Sequence, residues 1–362
     1  MKKRINKPGI NKSGLHKSGI HKFGIHKFGI LKFGIRQLRI LIAIMLTAIL
    51  TTSCGILTGG GNDPPDELTE NLIVVGFSQV GAESDWRAAN TVSIQTALRE
   101  ERGFKLIYDD AQQKIEKQIT AIRNFIQQEV DYIVLAPTTE TGWDTVLQEA
   151  KAAGIPVILV DRMIEVADND LFTCWIGSDF RLEGNTAVKW MEERFEEETI
   201  NIVHLQGNIG SSAQIGRTEG LDAGLLANPN WNLVARESGE FTQAKGQEVM
   251  ESFIAQGLQF DVVYCENDNM TYGVIDTLRE AGLTPGEDVT IISFDANRTA
   301  LEMTLAGEIS YNVECNPLQG PHVKKIIEQL EAGIVPPKFT YIEETAFDSE
   351  SITREEVEER TY

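Results

Sequence analysis

Residues Ile73-Val-Val-Gly-Phe-Ser-Gln-Val-Gly-Ala-Glu-Ser-Asp-Trp-Arg-Ala-Ala-Asn90 pass from an apolar strand, through a polar loop, into the first turn of a helix. In an open parallel α/β sheet, ligands bind just beyond the carboxyl ends of the strands. The loop after this strand is therefore the first place to expect a site. Between Glu83 and Arg87 it offers two carboxylates, the Ser84 hydroxyl, the Trp86 indole and a guanidinium. An aromatic face ringed by donors and acceptors suits a polyhydroxylated ligand.

The same pattern recurs along the chain. Short apolar runs fall at 72–77, 105–108, 132–136, 157–160, 172–176, 200–205, 233–236, 262–265, 290–294, 309–313 and 340–343. Between most of them lie stretches with helical apolar spacing, such as Ile115, Ile119, Ile122 and Ile126, or Val249 and Phe253. Val- and Ile-rich runs separated by helices predict an α/β fold whose parallel sheets are covered on both faces. Eleven strands are too many for one small sheet, so two sheets of five or six are expected. Ser178-Asp179 marks a first crossing between the two lobes.

The net charge of −21 hides an asymmetry: eleven of the 33 Lys and Arg lie in residues 1–40, and no Asp or Glu occurs before Asp63. Beyond that point 22 basic residues face 54 acidic ones. Such a surface repels phosphate backbones, which argues against nucleic-acid binding. Residues 6–35 repeat the unit x-Lys-x-Gly-(Ile/Leu), a period of five that fits neither a helix face nor a strand. His16, His21 and His26 fall in this repeat, and its period accounts for them better than a metal site does. Arg36 and Arg39 then precede the run Ile40-Leu-Ile-Ala-Ile-Met-Leu-Thr-Ala-Ile-Leu50. That run is shorter than the roughly 20 residues needed to span a bilayer. With the small residues Thr51-Thr-Ser53 it forms a secretory signal. Cys54 follows and resembles the acylated cysteine of a bacterial lipobox, with Thr51 in the position where Leu is usual. Residues 1–53 are thus expected to be a leader and signal. Residues 54–70 would be a lipidated cysteine and flexible tether holding a soluble body at a membrane surface.

Polar groups stand at the ends of several strands: Asp161 and Arg162 after 157–160, Gln206-Gly207 after 200–205 with Arg217 beyond, Asn267 and Asp268 after 262–265, Asp295 after 290–294, and Glu314 after 309–313. Each has a simpler account, as a local ion pair or a helix cap. Five such ends together with Trp86 favour a shared crevice.

These residues resemble the periplasmic sugar-binding proteins of ABC importers, the ribose/galactose-type group. The resemblance rests on Gly76 to Ala89, Ile155-Pro-Val-Ile-Leu-Val-Asp-Arg162, Leu205-Gln-Gly207, Gly246 to Phe253 and Glu266-Asn-Asp-Asn-Met270, and it runs from about Leu72 to Asp348. It implies two Rossmann-like lobes joined by a three-strand hinge, the type I periplasmic binding protein fold, with one sugar held between them. By resemblance the first lobe is 71–178 plus 315–335, the second 179–314 plus 336–350, and 351–362 an acidic tail. The implied ligand contacts are Glu83, Ser84, Trp86, Arg87, Asp161, Arg162, Arg217, Phe241, Asn267, Asp295 and Glu314. Ribose binders carry Asn at the position of Ala136 and Phe at that of Arg87, so the Trp-Arg pair points to the galactofuranose-binding branch. The implied partners are a monosaccharide and the transmembrane subunits of an ABC permease, with the chain a lipid-anchored monomer outside the cell membrane and needing neither cofactor nor metal. Arg87→Ala is expected to abolish binding without unfolding the protein.

Other functions fit less well. No Gly-x-Ser-x-Gly elbow occurs, no Gly-x-Gly-x-x-Gly follows the first strand, and beyond the leader only His204 and His322 remain. A sugar-responsive repressor would need a helix-turn-helix and a basic surface. A sensor presenting its closed form to a membrane receptor or histidine kinase shares every ligand argument and stands as the alternative. Cys174, Cys265 and Cys315 are read as small buried residues, although Cys265 and Cys315 both lie at strand ends near the crevice, where a disulfide could form.

Overall fold

A computed structural model describes residues 72–362. The leader, Cys54 and the tether lie outside the described residues. The rest forms two six-stranded sheets. In the first, β2 (Phe104–Asp110), β1 (Ile73–Gln79), β3 (Tyr132–Leu135), β4 (Val157–Val160), β5 (Cys174–Gly177) and β11 (Phe339–Tyr341) lie side by side, all parallel. In the second the order is β7 (Trp231–Ser238), β6 (Ile200–Gln206), β8 (Val262–Cys265), β9 (Thr290–Asp295), β10 (Tyr311–Glu314) and β12 (Ala346–Asp348), with only β12 antiparallel. Both are doubly wound, and each reverses direction beside its first strand, the switch point where such sheets hold ligands.

The central strands β3, β4, β5 and β8 are buried along their whole length, which is why they read as unbroken apolar runs. Each sheet has apolar packing on both faces. Helix α2 (Ile115–Gln127) turns Ala121, Ile122 and Phe125 inward against this core, one step round from the isoleucine stripe expected of it. In the second lobe α4 (Phe180–Phe195) packs on α5 (Ser212–Ala227) through glycines. A Cβ on Gly220 would lie 2.6 Å from the Gly184 Cα, and one on Gly184 2.9 Å from the Arg217 carbonyl. Only glycine allows so close an approach, and it brings Arg217 against Glu183.

The chain passes between the lobes three times: after β5 at 178–179, after β10 at 315–319, and after β11 at 342–345. The expected first crossing coincides with the first of these. Two expectations are corrected. Residues 336–350 do not all join the second lobe, because β11 pairs with β5 in the first sheet and only β12 joins the second. Residues 351–362, expected as an acidic tail beyond the lobes, pack on the second lobe. Helix α10 (Arg354–Glu359) starts from a capping box between Thr353 and Glu356, and Val357 is fully buried with Ala296, Leu301 and Phe347. Its acidic residues mask one apolar anchor, which is too weak a signal to read as an amphipathic helix.

Candidate ligand-binding cleft

A cavity of about 290 Å³, counted to its mouth, lies where the carboxyl ends of the two sheets face each other. Ten of the eleven expected contacts line it: Glu83, Ser84, Trp86, Arg87, Asp161, Arg162, Arg217, Phe241, Asn267 and Asp295.

Local structure explains how each arrives there. The Ser84 hydroxyl accepts from the Arg87 N–H at 3.1 Å, capping helix α1 (Asp85–Ala97), so Trp86 and Arg87 occupy its first turn. Asn267 caps α7 (Asp268–Glu280) by accepting from the Met270 N–H at 2.9 Å, and its amide donates to the Phe241 carbonyl at 3.1 Å. Asp295 is not a cap; Asn297 performs that role for α8 (Arg298–Leu305). Three lining residues hold left-handed backbone without being glycine: Asp161 at φ 63°, Phe241 at φ 58° and Asp295 at φ 103°. Strain of this kind persists where the surroundings over-determine it, and it concentrates at ligand clamps. Gly207 makes room for Phe241, since a Cβ there would sit 1.9 Å from the ring's Cζ.

Two charge clusters face each other across the cleft. On the first lobe Arg87 pairs with Asp161 at 2.7 Å and with Glu83 at 3.1 Å, and Arg162 reaches Glu83 at 3.4 Å. These side chains are at most 4% exposed. Burial pushes the Glu83 carboxyl up, but Arg87 and Arg162 outweigh it and hold the group below its usual value. Burial and the neighbouring Arg87 charge bring Arg162 down to about 10. On the second lobe Arg217 Nε donates to Glu183 at 2.7 Å, and Arg217 Nη2 lies 3.4 Å from Asp295. Burial pushes Asp295 well above the usual carboxylate range despite Arg217, with Asp268 and Glu183 adding to the rise.

The aromatic walls are held from both lobes. Trp86 Nε1 donates to the Cys315 carbonyl at 2.6 Å, Arg87 lies 4.7 Å above the Trp86 ring, and Arg162 lies 5.4 Å from the Phe241 ring centre. At the mouth Asp85 N–H donates to Asn269 at 3.0 Å, Met163 N–H to the Ser212 hydroxyl at 2.8 Å, and Glu140 N–H to the Gly210 carbonyl at 3.0 Å. The lobes therefore meet around the cavity. Inside, Glu83 Oε2 is buried without a hydrogen-bond donor, whereas Asp161 Oδ2 is held by Arg87 Nη1 at 2.7 Å. Buried polar atoms normally find partners, so Glu83 Oε2 is an acceptor suited to a donor from a ligand.

Glu314 is the exception among the expected contacts. It stays out of the cavity because its carboxylate is engaged by the Arg360 guanidinium and by the Tyr362 hydroxyl, the latter at 3.0 Å. Phe180 and Ala213, to which the sequence did not point, and Cys315, expected near the crevice but not as a contact, complete the lining. Phe180 directly follows the first crossing, a position where an aromatic could have been noticed. Ala213 carries no chemical signal. Cys174, Cys265 and Cys315 are free and buried, so no disulfide joins Cys265 to Cys315. Burial brings the Cys265 thiol to about 12.

Among the described residues one group has the make-up of a metal site, Glu183, Cys315 and Glu344, with ligand atoms within 4.8 Å of one another. Donors already occupy part of it. Arg217 holds Glu183, while the Ser178 hydroxyl and the Asn316 N–H both donate to Glu344 Oε1 at 2.6 Å. The group is a hydrogen-bonded knot tying the three crossings together.

A family model described as a periplasmic binding protein domain matches residues 75–319. The galactofuranose-binding protein YtfQ of Escherichia coli (strain K12) is 39% identical over 292 residues, covering 80% of this chain and 91% of that protein. A Mycobacterium smegmatis protein crystallised with beta-D-fucofuranose is 43% identical, with a TM-score of 0.74 over 77% of this chain and 92% of that one. The periplasmic component of the arabinose ABC transporter from Shewanella sp. ANA-3, bound to alpha- and beta-L-arabinofuranose, is 40% identical, with a TM-score of 0.75 over 80% and 95% of the two chains.

Proposed function

The chain belongs to the periplasmic binding protein family, and from that premise we propose that it captures a furanose-form monosaccharide of the galactofuranose type between its lobes for an ABC importer. The observation that carries the reading is a buried acceptor without a donor, Glu83 Oε2, beside the Arg87–Asp161 pair in a cavity walled by Trp86 and Phe241. A sugar has apolar C–H faces and a fringe of hydroxyls. The rings cover the faces, the carboxylates accept, and Arg87, Arg162 and Arg217 donate in forks. Hydrogen bonds to charged groups are worth roughly 1.5–3 kcal/mol each. An epimer that leaves one charge unpaired loses about that much, which is how such a site discriminates.

The ten lining residues expected from the sequence are the ligand contacts in this reading. The lobes close on the sugar by bending at the three crossings, and the closed form is what the permease recognises. In this reading the site binds without doing chemistry, its three arginines being held by buried carboxylates. The protein is exported through its signal, anchored through Cys54, and works as a monomer.

A thermal-shift panel of monosaccharides in furanose and pyranose forms tests this. A ligand at 100 times its dissociation constant adds about 2.7 kcal/mol of stability. Galactofuranose, fucofuranose and arabinofuranose should raise the melting temperature, and ribose should not. If no sugar moves the transition, the reading fails.

A further inference from the structure

Glu314, which lies outside the cavity lining, belongs to a different assembly. It ends β10 and so stands where the second crossing begins. Its backbone N–H donates to the Thr345 carbonyl at 2.9 Å, and its Oε2 accepts from the Thr345 N–H at 3.2 Å. Glu314 thereby stitches the second crossing to the third. Its Oε1 receives the Arg360 guanidinium and the Tyr362 hydroxyl. Arg360 also lies 5.2 Å from the Phe347 ring centre, on the strand that follows the third crossing, and 4.8 Å from that of Tyr362. Segment 353–362 is itself fixed to the second lobe, by buried Val357 and by the Tyr362 carbonyl, which accepts from the Arg298 N–H at 2.7 Å. One end of the segment is thus anchored in a lobe while the other grips two of the three crossings.

The next residue connects this grip to the ligand. The Cys315 carbonyl holds Trp86 Nε1 at 2.6 Å, and Cys315 lines the cavity. Exposed salt bridges contribute little, but the Arg360 and Glu314 side chains are only 10% and 9% exposed. Removing Arg360 would leave the Glu314 carboxylate nearly buried without a cation, and that penalty falls on the crossing itself.

We propose that Arg360 is a positioning residue for ligand capture: through Glu314 it holds the second and third crossings, and with them the Cys315 carbonyl and Trp86, in the arrangement that keeps the lobes closed. The proposal rests on the sugar-binding reading for its effect on affinity. Its effect on lobe separation does not depend on that reading.

The test compares the wild type with Arg360→Ala, Arg360→Lys and Glu314→Gln. Spin labels at Val92→Cys and Leu226→Cys, both exposed and on different lobes, report inter-lobe distance in a Cys54→Ser background where the native thiols are buried. Arg360→Ala should shift the ligand-free distances outward. It should also weaken affinity for the best furanose at least tenfold, mainly through faster dissociation. Arg360→Lys should recover most of both effects. Glu314→Gln, which keeps the backbone contacts, should reproduce the shift even if Arg360→Ala folds poorly. If Arg360→Ala and Glu314→Gln lower only the melting temperature, with distances and affinity unchanged below it, the segment is merely structural and the proposal is overturned. If the wild type binds no sugar, the sugar-binding reading fails, and the distance measurement still decides the role of Arg360.

Discussion

Removing Arg87 tests the central charge cluster most directly. The side chain is 3% exposed and its guanidinium holds Asp161 at 2.7 Å and Glu83 at 3.1 Å. Its Nη1 also donates to Gln79 at 3.3 Å. In Arg87→Ala both carboxylates depend on Arg162, whose nitrogens lie 3.4 Å from Glu83 and 3.9 Å from Asp161. Taking one partner from a buried ion pair costs about 3–5 kcal/mol. Here one term works the other way, because burial and then Arg87 depress Arg162 to about 10, and losing Arg87 relieves that repulsion. We therefore expect the lower end, about 3 kcal/mol at pH 7, against a typical total stability of roughly 5–15 kcal/mol. The variant should fold at low temperature yet be clearly less stable, which revises the expectation that only binding would suffer.

The pH dependence has a defined sign. Glu83 lies below its usual value of 4.5 in the native protein, so its contribution is present above 4.5 and is lost as pH falls through the native value. Without Arg87 that contribution shrinks, so the gap between wild type and variant should hold from pH 7 down to about 4.5 and narrow as pH falls below it. Urea unfolding of the ligand-free proteins measures this, with Asp161→Asn added to complete a double-mutant cycle. Coupling of about 0.5–3 kcal/mol is expected between residues in direct contact. A cost below about 1 kcal/mol for Arg87→Ala, with strictly additive double-mutant behaviour, would refute the reasoning.

Other perturbations bear on the same architecture. Gly207→Ala places a methyl 1.9 Å from Phe241 Cζ, so the ring must leave the cleft. Calorimetry should show lost sugar binding, and unfolding a penalty of about 1–3 kcal/mol, with Phe241→Ala relieving the penalty but not restoring binding. Burial, reinforced by Glu183, raises Glu344 from 4.5 to about 8. Unfolding between those values releases a proton, so stability falls as pH rises through that window. In Glu344→Gln the slope of urea stability against pH from 5 to 8 should flatten, and an unchanged slope would remove Glu344 as its source. In a Cys54→Ser background, Ellman's reagent should find no reactive thiol in the native protein and three after denaturation, because Cys174, Cys265 and Cys315 are buried.

The sequence alone determined the α/β class, the division into two sheets and the loops that line the cleft. Those features are local: unbroken Val/Ile runs such as Val157–Val160 announce strands buried on both faces, and the residues just past such strands have few places to go but the crevice. Asp161, Arg162, Asn267 and Asp295 were legible for that reason. Only the tertiary structure decided where the short elements went. β11 and β12 are three residues each and largely exposed or half-buried, so nothing in their composition says which sheet they join. Glu314 and Asp295 look alike as acids at strand ends. Asp295 turns into the cleft through a left-handed backbone at φ 103°, while Glu314 continues its strand and meets Arg360, 46 residues further along the chain. The path of the chain at the crossings, and the segment that returns to grip them, separated the two acids. Trp86 shows the same division: its place after β1 was readable, and its anchor on the Cys315 carbonyl, 229 residues away, was not.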